Sequence, residues 1–415
     1  MKIVHAADLH IDSPLRGLER YDGAPVEKVR GATRGAFQRL IEVCVRERAR
    51  FLVLAGDVFD TDWKDVNTGV FFSAQVATLR QIGCDVLVLR GNHDFEISRA
   101  LRYPSNVREF GPPGDERRSF VFEPEGVVFH GVSYPDRDVP GTLLPHYPAP
   151  LPDLLNVGVL HTNATGSTEH KRYAPCTVSE LRDKGYGYWA LGHVHNHAVL
   201  SEEPWVVYPG NTQGRHANEP GPKGCVVLDV EGQRVERVRF ADTAVMGWHR
   251  VEVSLATDDD IDDLYARVRA RLDALRAENG GMLGAVRLRV AGGSRAHAAV
   301  VRDRSQVIAQ IRSDALDRGA ELWLEKVELE TRPAASLDEQ RAARGLVADL
   351  LRDVERIRND EGDAELLHLG KVLDPLKRKV DKDLLDLGDP DLLRHVLDEA
   401  EALLAQRLTE GSDEP

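Results

Sequence analysis

The sequence predicts an α/β protein: a two-sheet sandwich flanked by helices, then a small α/β domain, then a helical C-terminal region. Three observations predict it. Five short apolar runs, each closed by a polar cluster, read as buried strands. Amphipathic stretches at residues 26–47 and 66–82 separate the early runs, which is the alternation of an α/β fold. Beyond residue 243 the polar clusters stop, and the pattern becomes β-α-β-α-β, then leucines at helical spacing among many acids.

Taken in order, Lys2–Ala7 ends in Asp8-Leu9-His10, and Val26–Glu47 follows as a helix. Phe51–Ala55 ends in Gly56-Asp57-Val58-Phe59-Asp60, and Val66–Ile82 is the next helix. Val86–Arg90 ends in Gly91-Asn92-His93-Asp94. Pro112–Pro113 and Pro140–Pro152 mark loops on either side of a strand at Gly126–Val132. Val157–Leu160 ends in His161, Tyr188–Leu191 ends in Gly192-His193-Val194-His195, and Gly224–Val230 is a further strand. The added strands imply two mixed sheets with helices outside. Every polar cluster falls where a strand ends, so the candidate site lies on one rim of the sheet core, where open α/β folds place their ligands.

Those clusters supply four carboxylates, one amide and five imidazoles. Taken singly, Asp8-x-His10 reads as a surface turn, Asp57 as a helix cap and Gly91–Asp94 as a hairpin turn. Gly192–His195 sets two imidazoles on one face of an extended segment, a metal signal by itself. Taken together, oxygen and imidazole donors without thiolate suit Mn²⁺, Fe²⁺ or Zn²⁺ better than Ca²⁺ or an iron–sulfur cluster. They are too many for one ion and about enough for two.

The five motifs resemble the signature of the calcineurin-like metallophosphoesterases, over roughly the first 200 residues. Tyr188–His195, Tyr208–His216 and Glu219–Gly224 resemble more closely the SbcD-type DNA exonuclease subunits, in particular their YhaO-like branch. The resemblance implies two divalent ions, Mn²⁺ first, with Fe²⁺, Zn²⁺ or Mg²⁺ as alternatives. Asp57 would bridge them; Asp8, His10 and His195 would complete one ion, and Asn92, His161 and His193 the other. The pair would clamp a phosphodiester for in-line attack. His93 would face the substrate as a catalytic group, oriented by Asp94. Asp60, which varies among related nucleases, is assigned to helix capping. Arg215 and His216 are the DNA-contact candidates. His170-Lys171-Arg172 is a second basic cluster that reads equally as a solvated loop.

The chain divides into 1–243, the catalytic domain; 244–332, an α/β capping domain; and 333–415, a helical partner-binding region. In the second, Trp248–Leu255, Leu283–Val290 and Glu321–Leu329 read as strands, and Asp258–Glu278 and Ser305–Asp317 as helices. By resemblance this domain helps to select DNA. In the third, helices are expected at Asp338–Arg356, Glu365–Lys379 and Asp391–Arg407, with Gly411–Pro415 disordered. The net charge is −14, of which residues 334–415 carry −9 and the rest about −5. That balance argues against a general nucleic-acid binder and against DNA contact by the C-terminal helices. By resemblance they hold an SMC-like ATPase; self-association as a homodimer is the alternative. The scattered Cys44, Cys84, Cys176 and Cys225, the lack of a signal-peptide pattern and the lack of an 18-residue apolar run point to a cytoplasmic protein without a membrane span.

The reading is a metal-dependent, 3′-directed DNA exonuclease with some single-strand endonuclease activity, the nuclease subunit of a DNA repair complex. A small-nucleotide phosphodiesterase or phosphatase on the same core, and a non-catalytic DNA-end docking subunit, are the alternatives.

Overall fold

The computed structural model describes residues 1–13, 25–60, 66–94, 102–164, 173–317, 319, 321–334, 346–358, 389, 391–398, 400 and 401. By contact density the chain forms two compact units, one of Met1–His249 with Asn279–Val286, the other of Arg250–Glu278 with Arg287–Pro415.

In the first unit the elements run β1 (Lys2–Ala6), α1 (Val26–Arg30), α2 (Ala32–Glu47), β2 (Phe51–Ala55), α3 (Val66–Thr78), β3 (Asp85–Leu89), β4 (Val107–Glu109), β5 (Ser119–Phe122), β6 (Val127–Gly131), β7 (Leu155–His161), α4 (Val178–Asp183), β8 (Tyr188–Gly192), β9 (Ala198–Glu202), β10 (Trp205–Tyr208), β11 (Gly224–Glu231) and β12 (Arg234–Asp242). The single helix expected over Val26–Glu47 is two. Gly31 closes the first turn through its amide to Glu27 O, and the chain restarts as α2. Glycine has the weakest helical preference after proline, so the break falls there. The helix at 66–82 finishes as a 3₁₀ turn stopped by Gly83 at φ +67°.

One sheet has the order β12-β11-β1-β2-β3-β4, the other β5-β6-β7-β8-β10-β9. β1 to β4 are mutually parallel, as are β6, β7, β8 and β10. Antiparallel strands close the edges: β11 and β12 on the first sheet, β5 and β9 on the second. Alternate residues of β1 to β3 serve two cores. Ile3, Phe51, Val53, Leu87 and Leu89 meet Phe129, Val157, Tyr188 and Val207 between the sheets. Val4, Leu52, Leu54, Val86 and Val88 meet Phe37, Leu40 and Cys44 of α2 and Phe72 and Val76 of α3. A third cluster joins Leu160, Trp189 and Leu191 to Tyr134, Tyr147 and Tyr186 on the outer face of the second sheet. Burial on both faces explains why these strands show continuous apolar runs and no alternation. The four cysteines are buried and free.

The second unit, with the first residues of β13 and β14 counted in the first, is built on β13 (Met246–Ser254), α5 (Ile261–Glu278), β14 (Leu283–Gly293), α6 (His297–Arg302), α7 (Arg304–Asp317), β15 (Leu322–Arg332) and α8 (Leu346–Arg358). Its sheet has the order β13-β14-β15. α5 buries Leu264, Val268, Leu272 and Leu275 in one stripe, and α7 buries Val307, Ile311 and Ala315. α6 is one helix more than the sequence pattern indicates. α8 buries Ala348, Leu351 and Val354, and residues 391–398 are helical with Leu393 buried. The helix expected at 365–379, the cluster at 170–172 and the terminal residues 411–415 lie outside the described residues. Among the described residues no helix is long and apolar enough to cross a membrane.

Candidate metal centre

Both parallel sets of strands end on the same rim, and the five motifs meet there. Asp8 follows β1, Asp57 follows β2, Asn92, His93 and Asp94 follow β3, His161 ends β7, and His193 and His195 follow β8. The loops after β1 and β2 run side by side: Asp8 N–H donates to Gly56 O and His10 N–H to Asp57 O, each at 3.0 Å. Asp8, His10, Asp57 and His193 take positive φ values of 52°, 43°, 52° and 99°. Side chains rarely adopt that region, and such strain concentrates at functional loops held by a rigid scaffold.

Glycines let these loops close on one another. A Cβ on Gly91 would lie 2.2 Å from Asp57 Oδ1, and one on Gly192 would lie 2.0 Å from Ala55 O. The Cβ on Gly91 would also lie 2.9 Å from the Asp57 backbone nitrogen, so Gly91→Ala is expected to displace the Asp57 loop together with its carboxylate, with circular dichroism checking that the variant still folds. It should weaken divalent-metal binding about tenfold or more, in the range for disturbing the shell behind a ligand. Mn²⁺ titration calorimetry checks this, and unchanged affinity would sink it.

Among the described residues, three groups of donors each fall within 4.8 Å: Asp8, His10 and His195; Asp8, Asp57 and His161; and His10, Asp60 and His93. Asp57 Oδ2 stands 3.4 Å from His161 Nε2 and 3.8 Å from His10 Nε2. Asn92 Oδ1 is 3.0 Å from His161 Nε2. The His193 amide donates to both Asp8 oxygens, and its ring stands 5.2 Å from that of His161, beside the groups but in none of them.

These donors fit a cation. His161 Nδ1 donates to Ala55 O at 3.0 Å, which leaves Nε2 unprotonated in the neutral ring, facing two further acceptors, Asn92 Oδ1 and Asp57 Oδ2. Burial opposes a proton on His161, but Asp57 and Asp8 raise its pKa to about 9, a measure of the demand for positive charge there. Burial likewise opposes charge on Asp57, yet His161, His10 and His93 hold its carboxyl well below the usual range. His10 is fully buried with neither ring nitrogen hydrogen-bonded, and burial, with the Arg215 charge, drives its pKa well down. A neutral imidazole with both nitrogens unpaired is a metal donor in waiting.

Two roles differ from expectation. The Asp94 carboxylate makes no hydrogen bond to His93. Its oxygens accept the amides of Gly91 and Val58 at 2.6 and 2.8 Å, because the turn folds its side chain back under the loop. Asp94 thus shapes the loop that carries Asn92 and His93, and burial raises its pKa to about 7. The partner of His93 is Asp60, with Oδ1 2.8 Å from Nδ1, while Asp60 Oδ2 accepts from Ser13 Oγ. Asp60 therefore belongs to the cluster, and its bond, against burial, raises the His93 pKa. The His93 amide donates to Asp57 Oδ1 at 2.9 Å.

Glu219 is a site residue that motif reasoning missed. Its Oε1 is 2.7 Å from His195 Nδ1, so His195 offers Nε2 to the cluster, 3.7 Å from Asp8. Burial opposes its charge, but His195 and Arg215 hold the carboxyl far below its ordinary value. Its only sequence signal is its place in the Glu219–Gly224 stretch. Arg215 lies at the site with its side chain 16 % exposed, whereas that of His216 is 56 % exposed at the rim.

Residues 1–197 match the profile of the calcineurin-like phosphoesterases, and residues 248–332 that of the middle domain of metallophosphoesterase YhaO. The metallophosphoesterase YhaO of Bacillus subtilis (strain 168) is 32% identical over 280 residues, covering 66% of this chain and 68% of that protein. The DNA double-strand break repair protein Mre11 of Methanopyrus kandleri is 25% identical over 253 residues, 56% of this chain and 51% of the relative. The SbcD component of nuclease SbcCD from Escherichia coli (strain K12) is 34% identical over 95 residues, 23% of this chain and 21% of that protein. The chain thus spans about half of the Mre11 protein and about a fifth of SbcD. With this similarity, and with donors for a divalent metal where the strands end, the chain belongs to the calcineurin-like metallophosphoesterases, in their YhaO-like branch.

Proposed function

We propose that this metallophosphoesterase is a nuclease that hydrolyses phosphodiester bonds in DNA, from 3′ ends and within single strands. The carrying observation is the position of Asp57 Oδ2 between His10 and His161. It supports Asp57 as the bridge between two ions, Mn²⁺ first, one completed by Asp8, His10 and His195, the other by Asn92, His161 and His193. Such a pair, when bound, supplies Lewis acidity and offsets charge on a phosphodiester. Asp57 also fixes the loop amide of His93. With His93 Nδ1 committed to Asp60, only Nε2 remains to give a proton to the leaving oxygen.

DNA as substrate is supported by relatives named for DNA repair and for nuclease activity, and by a further domain beyond the phosphoesterase core. In this reading residues 244–332 cap the substrate and His216 meets DNA at the rim. Residues 333–415 bind an SMC-like ATPase, since their net −9 repels phosphate.

The experiment is hydrolysis, with Mn²⁺, of bis(p-nitrophenyl) phosphate, a small nucleotide diester, and labelled duplex and single-stranded DNA. Cleavage of the model diester and of DNA is expected. Turnover of the small nucleotide alone would replace the reading with a small-molecule phosphodiesterase. Metal binding with no hydrolysis at all would replace it with a docking role.

A further inference from the structure

Asp60 and Glu219 lie 159 positions apart in the sequence, yet both carboxylates sit at this site, 15 % and 8 % exposed. Each is committed to an imidazole, Asp60 to His93 Nδ1 at 2.8 Å and Glu219 to His195 Nδ1 at 2.7 Å. Two largely buried anions brought to one site repel unless cations stand between them. Arg215 is one such cation: Nη1 is 3.6 Å from Asp60 Oδ2 and Nη2 is 3.4 Å from Glu219 Oε1.

His93, Asp60, Arg215, Glu219 and His195 are therefore joined by successive contacts; Arg215 Nη2 also stands 3.4 Å from His195 Nδ1, and His216 Nε2 stands 3.5 Å from Glu219 Oε1. The local fold serves the same end. Glu219 Oε2 accepts the Arg215 amide at 2.8 Å and Asn211 Nδ2 at 2.9 Å, so the segment from 211 to 219 wraps its own carboxylate. Lys223 Nζ donates to His195 O at 2.8 Å and holds the backbone of the same histidine. A planar guanidinium can address two carboxylates at once, which an ammonium on a flexible stem does poorly.

We propose that Arg215 and Glu219 form an internal strut that fixes two imidazoles relative to each other, the metal-facing His195 and the substrate-facing His93. Both are positioning residues, and Arg215 serves in this capacity in place of a DNA contact. The proposal rests on the metal-centre reading for the roles of those two histidines.

The test uses the full chain, with Glu219→Gln, Arg215→Met and the double variant. Mn²⁺ affinity is read by calorimetry, kcat and KM on bis(p-nitrophenyl) phosphate, and DNA binding against salt. Glu219→Gln should loosen Mn²⁺ about 10–100-fold, as expected when the partner behind a ligating histidine is lost. Arg215→Met should lower kcat on the small diester about tenfold, with KM and the salt slope of DNA binding unchanged. The double variant should be little worse than the worse single one, because either change breaks the same line. Glu219→Asp, too short to reach, is the second variant if Glu219→Gln does not fold, and should also loosen Mn²⁺. Arg215→Met that keeps kcat but lowers the salt slope by about one unit would make Arg215 a phosphate contact and overturn the strut. Glu219 variants that keep wild-type Mn²⁺ affinity would overturn it too. A wild type that binds no Mn²⁺ overturns the metal-centre reading itself. A wild type that binds Mn²⁺ without hydrolysis overturns the nuclease, and metal affinity then decides the strut alone.

Discussion

Asp57→Ala is expected to empty the centre of both ions, where His10→Ala weakens mainly one. Asp57 presents Oδ2 to His10 and His161, one imidazole from each proposed ion site, and uses Oδ1 to hold the loop that carries His93. In the proposed arrangement its removal takes away the donor shared by the two ions and loosens the His93 loop. Metals at such sites supply several kcal/mol of charge stabilisation, and each 1.36 kcal/mol is tenfold, so hydrolysis should fall by roughly 10³-fold or more. Asp57→Asn, which keeps the shape of the side chain, controls for folding and should lose activity as well. Elemental analysis decides the matter: a single tightly held ion in active wild-type protein would sink the two-ion arrangement.

The second large effect is at His93. Its Nδ1 is bound to Asp60 and its ring is part exposed, which suits proton transfer at Nε2. His93→Ala should keep metal content and DNA affinity while turnover drops by roughly 10²–10⁴, the range for one acid–base group. Asp60→Asn should reproduce part of that drop. His93 also shares a donor group with His10 and Asp60, so the outcome is informative in both directions. Loss of metal from His93→Ala would make it a ligand.

The strands were legible because they are buried on both faces. A run such as Phe51–Ala55 needs no partner to be recognised, and a glycine or an acid marks its end. The candidate metal donors could be placed for the same reason, since each is fixed within a few residues of a strand terminus. Edge strands were not. β12, Arg234–Asp242, is mostly polar and half exposed, and only its pairing with β11 makes it a strand. The break at Gly31 escaped notice because the apolar spacing continues across it. Side-chain partnerships were the least legible. Whether His93 leans on Asp94, its neighbour in sequence, or on Asp60, 33 residues earlier, depends on how two loops fold against each other. Glu219 reaches His195 through a turn with no repeating signature, so its stretch carries the resemblance while its pairing with His195 depends on how that turn closes.

The order of assembly carries a biosynthetic consequence. β1 is made well before β11, yet it sits inside its sheet with β11 as one of its two neighbours, and β11 is not complete until residue 231. The donors are spread from residue 8 to residue 195, and those from the second sheet come last. Domains fold as units while the ribosome extends them at about 5–20 residues per second. For much of that time the emerging chain presents β1 with an unpaired edge, a template for wrong pairing. Over the same interval it holds only a partial ligand set. A fragment released early would therefore be prone to aggregate and would lack donors of the candidate centre, so hydrolysis would have to await the second sheet.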